Sequence, residues 1–228
     1  MNCVNKLKML VVIALVLSLS ACANVNGNSD AEYTQQDIGP WGGINVRTSR
    51  EMLDAIEAHQ NGPNSESMLY LNIPENLYRN AYTITIPASM NVTIRCQNDL
   101  IGKSQHGRNP PSPDTFVGAG CRLTTTTWSF NMHFEIAGAL TLHRVHVHHD
   151  PSFVFFGSNE SSGGFRQTGR NASLRMYGGE ISGFMRDVPG LSIIRSNRFT
   201  RLHRVRFNNN NAPLTQLGTL ELIPLPEN

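Results

Sequence analysis

Between residues 67 and 223 apolar and polar residues alternate in short runs. Leu69, Leu71 and Ile73 take every second position, then Ile84 and Ile86, then Val92, Ile94 and Cys96. Strict alternation predicts strands with one buried face. One run recurs: Leu142–Val147 (LHRVHV) returns as Leu202–Phe207 (LHRVRF), and a weaker copy, Ser173–Ile181 (SLRMYGGEI), lies between them. In each copy the alternation pauses at a short jog and resumes. Leu140, Leu142, Val145 and Val147 match Leu174, Met176, Gly179 and Ile181, and also Thr200, Leu202, Val205 and Phe207. A repeated strand, jog and strand predicts stacked units, with these positions inward.

The flanks read differently. Thr48 to Glu51 carries a capping-box pattern, and Met52, Leu53 and Ile56 share one helical face. A short helix is predicted from about Ser49 to His59, stopped by Asn61, Gly62 and Pro63 and covering the first layer. Residues 97–120 form a long excursion rich in Pro and Gly. The asparagines 208–211 suit a turn with left-handed residues. Pro224 and Pro226 stop further strand pairing. An antiparallel β-sandwich is disfavoured, because no Asn-Gly or Asp-Gly hairpin turn occurs in the strand region.

Residues 1–21 stand apart. Lys6 and Lys8 give a basic start, and Met9–Leu19 is an apolar run too short to span a bilayer comfortably. Leu19–Cys22 (LSAC) then resembles the lipobox of bacterial lipoproteins, which implies cleavage before Cys22 and a diacylglycerol anchor, with palmitate-type acyl chains, on its thiol. Ala23, rather than Asp, follows the cysteine, and by resemblance to the Gram-negative sorting rule this implies the outer membrane. Residues 23–37 are polar and read as a tether.

Export changes the charge count. Without Lys6 and Lys8 the 19 basic residues fall to the 17 of the acidic ones. Every remaining base except Lys103 is an arginine, and the arginines gather between Arg166 and Arg206. A basic end suits a polyanion such as an acidic glycan, although the same arginines could be spread over several faces. Cys3 leaves with the signal and Cys22 takes the lipid, so Cys96 and Cys121 remain. About one repeat apart, they are a candidate disulfide in an oxidising compartment; the alternative is two buried thiols.

These pieces together resemble the pectin-lyase-like superfamily, and most of all repeat-containing bacterial surface proteins such as the polymorphic outer-membrane adhesins. The likeness is carried by Gly138–Val147 (GALTLHRVHV), by Ala172–Gly183 (ASLRMYGGEISG), and by Phe207–Asn210. It implies an all-β fold, a single-stranded right-handed parallel β-helix of about six short coils with a short N-terminal capping α-helix. The expected organisation is a signal peptide over 1–21, lipidated Cys22 and tether to 37, a cap over 38–66, the β-helix over 67–223 and a tail over 224–228.

Candidate chemistry is sparse. Arg144, His146, His148, His203, Arg204 and Arg206 form the candidate binding face. His146 and His148, two apart on a strand, share a side that could bind a metal, but no third ligand is fixed and Arg144 disfavours a cation. Lyases and glycosidases of this superfamily rely on clustered carboxylates, whereas Asp99, Asp114, Asp150 and Asp187 fall in separate loops. No catalytic residue, metal or cofactor is expected, nor nucleic acid. The reading is a lipid-anchored envelope protein that binds an anionic glycan or a host or cell-surface ligand, or serves structurally. The alternative is a polysaccharide lyase-like enzyme acting on acidic glycans.

Overall fold

The computed structural model describes residues 42–79, 83–99, 118–125, 134–149, 164–184, 193–196, 198–210 and 219–225. The chain divides into Met1–Thr34 and Gln35–Asn228, and every described residue belongs to the second unit. The signal peptide, Cys22, the tether, Asp114, Asp150, Asp187 and Pro226 lie outside the described residues.

In chain order the first elements are β1 (Ile44–Asn45), α1 (Ser49–Asn61), β2 (Met68–Ile73), β3 (Asn76–Arg79) and β4 (Ile84–Ile86). Then come β5 (Asn91–Cys96), a turn of 3-10 helix (Gln97–Asp99), β6 (Cys121–Thr125) and β7 (Phe134–Ile136). The repeat supplies β8 (Ala139–His143), β9 (Val145–His149), β10 (Phe165–Gln167), β11 (Ser173–Tyr177) and β12 (Glu180–Ser182). Last are β13 (Ile194–Arg195), β14 (Phe199–His203), β15 (Arg206–Asn208) and β16 (Leu220–Ile223).

The expected single-stranded right-handed β-helix of about six coils is corrected by the strand arrangement. The strands are gathered into three parallel sheets of seven, five and four strands, and no single β-helix describes them. The orders are β1-β2-β5-β8-β11-β14-β16, β15-β12-β9-β6-β3 and β13-β10-β7-β4. Uneven spacing is the physical reason. In the seven-stranded sheet the partners Asn45 and Asn72 are 27 residues apart, whereas Arg201 and Glu221 are only 20 apart. Not every level supplies a strand to all three sheets among the described residues. Alternation fixes which way a side chain faces, not how strands are shared among sheets. All described pairings are parallel, which rules out the antiparallel sandwich.

The copies of the repeat lie in register. Leu140, Leu174 and Thr200 are aligned, as are Leu142, Met176 and Leu202, and also Val147, Ile181 and Phe207. Most of these side chains are buried, each worth about 1.5–3 kcal/mol for an aliphatic one. Phe207, expected inward, is 42% exposed because it stands on the last strand of its sheet and no described strand follows it. At the jog, Arg144 and Arg204 adopt φ 56°, and Gly178 (φ 64°) takes the matching place in the second copy. The positive φ turns the chain from one sheet into the next.

At the other end α1 is fixed by local chemistry. Thr48 Oγ1 accepts from Glu51 N at 3.1 Å, and Glu51 Oε2 accepts from Arg47 N at 2.8 Å. The return bond thus reaches one residue before the cap. Gly62 ends the helix. Met52, Ala55 and Ile56 are buried where α1 packs on β2, β3 and β4.

Candidate functional site

The outer side of the five-stranded sheet carries two polar rows. One runs Asn76, Arg122, His146, Glu180, Arg206. The other includes Thr124, His148, Ser182 and Asn208. The strands put them there because Leu123, Val147 and Ile181, the intervening residues, are buried. Parallel register places consecutive members about 4.8 Å apart.

Ser182 is the meeting point. His146 Nε2 lies 2.6 Å from its Oγ, and His148 Nδ1 lies 2.8 Å from it. The two imidazoles meet edge to face at 5.4 Å. Glu180 Oε1 stands 3.5 Å from His146 Nε2 and accepts from Asn208 Nδ2 at 3.0 Å. A hydroxyl has one proton, so Ser182 donates to one ring and accepts from the other. A carboxylate beside His146 Nε2 favours the proton on that nitrogen, which leaves Ser182 donating to His148.

Burial pushes His146 down to about 4, and Arg122 and His148 push the same way while Glu180 opposes them. His146 is therefore neutral at pH 7, so its 3.5 Å approach to Glu180 is not an ion pair, and its ring nitrogen is bonded to Ser182 instead. Ser182 is 4% exposed, and its hydroxyl is shared between the two rings. A nucleophile so enclosed has little access to a substrate, so the rows form a fixed polar platform. Arg122 is half-buried and Arg206 exposed, flanking His146 and Glu180 in the row.

The structure separates the six residues of the expected face. His146, His148 and Arg206 share the outer side of the five-stranded sheet. Arg144 sits at the jog and bonds Asp99 Oδ1 through Nη1 at 2.5 Å. Arg204 sits at the equivalent jog of the last copy. His203 belongs to the seven-stranded sheet, where Arg95, His143, Tyr177 and His203 line up in register. It is 7% exposed. Tyr177 stands between the rings of His143 and His203, with centroids 5.7 Å and 5.9 Å away. Burial, helped by the Arg95 charge, lowers His143 to about 4.

Arg122, Glu180, Ser182 and Asn208 are not singled out by sequence patterning. The aligned copies do carry a signal, since matching Val147 to Ile181 and Phe207 also matches His146 to Glu180 and Arg206. Cys96 and Cys121 are disulfide-bonded, with Cα atoms 5.4 Å apart. Among the described residues no group of three or more His, Cys, Asp and Glu side chains could hold a metal ion. Carboxylates are dispersed: Asp99 with Arg144, Glu180 with His146 and Glu221 with Arg201 (2.9 Å). No protein-family model, curated protein or solved structure matches the chain.

Proposed function

We propose that the chain is a lipid-anchored protein of the cell envelope, most simply of an outer membrane, whose folded part binds an anionic glycan without breaking it down. The anchor rests on the succession of basic start, apolar run and Leu19–Cys22. The binding reading rests on the row Arg122, His146, Glu180, Arg206, in which guanidinium groups flank a row of polar side chains on one sheet face. Guanidinium groups pair with carboxylate or sulfate in two-pronged fashion, and a sugar chain laid along the stack would meet them in turn. The enclosed Ser182 and the dispersed carboxylates favour binding over catalysis.

The test uses the soluble chain from Ala23 with polygalacturonate, alginate and chondroitin, with and without calcium. Binding that weakens with salt and produces no unsaturated product is expected. Arg122→Ala and Arg206→Ala should each weaken it, by about five- to thirtyfold (~1–2 kcal/mol). Calcium-dependent turnover would overturn the non-catalytic reading, and binding indifferent to both substitutions would overturn the choice of face. For the anchor, Cys22→Ser should abolish incorporation of labelled palmitate; undiminished incorporation would rule Cys22 out as the lipidated residue.

A further inference from the structure

The row Arg122, His146, Glu180, Arg206 is unevenly satisfied. Arg206 has Glu180 as its register partner, and Glu180 also accepts from Asn208 Nδ2 on the same strand as Arg206. The row neighbours of Arg122 are Asn76 and His146, neither of them a carboxylate. Among the described residues Arg122 makes no hydrogen bond or ion pair, and its Nε is buried. A buried guanidinium nitrogen without an acceptor is costly, and an anion beside it removes that cost. The seat for an acidic group is therefore at the Arg122 end of the row, against His146.

His146 itself has one nitrogen engaged. Nε2 lies 2.6 Å from Ser182 Oγ and 3.5 Å from Glu180 Oε1. Ser182 gives its only proton to His148, so it accepts from His146, and the proton of the neutral ring stays on Nε2. Nδ1 is then a lone pair that makes no hydrogen bond among the described residues. It is the nitrogen that can take a further proton, and taking it leaves the bonds at Ser182 as they are.

We propose that this face takes up its anion together with one proton, which is held on His146. Such coupling depends on the glycan-binding role given above and adds a pH control to it. Every charge that faces His146 bears on the sign. Arg122 on β6 and His148 on the same strand oppose the proton, Glu180 on β12 favours it, and Arg206 on β15 lies one strand further along the row. Burial is the largest influence, so on the empty face the ring gains its proton only near pH 4.

An anion seated between Arg122 and His146 cancels the repulsion from Arg122 and adds an attraction of its own. The bound ring then keeps its proton to higher pH. By reciprocity, a group that holds its proton more tightly in the complex strengthens binding as pH falls. The ligand is thus gripped in mildly acidic surroundings and loosened as pH rises. Restoring His146 to the ordinary histidine range of about 6 to 6.5 makes binding about ten- to twentyfold tighter at pH 5 than at pH 7.

Titration calorimetry of the full chain in neutral detergent tests the coupling. The probe is a chondroitin sulfate oligosaccharide, whose sulfate groups stay charged throughout, and two buffers of different ionisation enthalpy count the protons. The native protein should take up about 0.8 proton per bound chain at pH 5 and almost none at pH 8. His146→Gln keeps a donor toward Ser182 and cannot take the proton. It should still bind, without uptake and with less than about a twofold difference between pH 5 and pH 7. Glu180→Gln and His148→Asn should retain the uptake. Binding by the native protein without proton uptake at pH 5 overturns the coupling and leaves the glycan reading standing. Uptake that persists in His146→Gln overturns the assignment to His146. No binding at either pH overturns the glycan reading and the coupling with it.

Discussion

The bridge between Cys96 and Cys121 ties the end of β5 to the start of β6, linking the seven-stranded sheet to the five-stranded one across 25 residues. Both cysteines are buried, at 0% and 4% exposure. Cutting the link frees the unfolded chain: closing a ring of that length removes about 12 cal/mol/K, which is about 3.5 kcal/mol at 25 °C. Replacing both residues with alanine also removes two buried sulfur atoms, adding about 1 kcal/mol. In a chain of this size each kcal/mol moves the melting temperature by about 2–4 °C, so the double variant should melt about 9–18 °C lower. Circular dichroism melts of the native protein, each single variant and the pair measure this. The first substitution breaks the cross-link, so either single variant should show most of the loss and the second should add little. Reduction of the native protein should reproduce the cross-link part alone. A double variant that melts within about 3 °C of the native protein would refute the reasoning, because it would mean that the two strand ends gain nothing from being joined.

Acid should weaken the fold through two buried histidines. His143 and His146 are each lowered to about 4 from 6.5, so the unfolded chain takes up protons first as pH falls. Their stabilising effect is complete above about pH 6.5 and declines toward pH 4, by up to about 3 kcal/mol for His143 and about half that for the more open His146. Urea midpoints at neutral and mildly acidic pH should show the decline, and a His143→Phe variant should lose part of it; flat midpoints would contradict the burial argument. At the jog, Gly179→Ala should be severe, at about 3 kcal/mol or more, because φ is +86° and a Cβ would strike the Val145 backbone. Gly178→Asn should cost less than about 1 kcal/mol, since Arg144 and Arg204 already adopt that conformation in the other copies. Soluble yield and melting temperature compare the two, and equal effects would count against the assigned roles.

Part of the candidate site is legible in the amino-acid sequence. Alternation puts His146 and His148 on one strand face, and the aligned copies put Arg206 in the same row. Ser182 is harder to see: a serine in a Gly-rich stretch carries no signal until β12 is laid beside β9. Arg144 has the pattern of a face residue because it lies between His143 and Val145. The left-handed jog instead takes it out of the alternation and delivers it to Asp99. His203 repeats His143 in sequence and repeats its place in the seven-stranded sheet, away from the His146 row.

The chain by itself determined what is local. Strand alternation, the in-register apolar positions of the repeat and the capped helix after Thr48 all follow from neighbours a few residues apart, where side-chain direction and backbone hydrogen bonding are set by short-range geometry. The tertiary structure decided how the strands divide into three sheets rather than one β-helix, which polar side chains meet across strands at Ser182 and Asp99, and why Phe207 stays exposed. Those outcomes depend on which distant strands become neighbours after long insertions of unequal length. Alternation of apolar and polar residues is indifferent to that choice, because any partner of matching face satisfies it equally well.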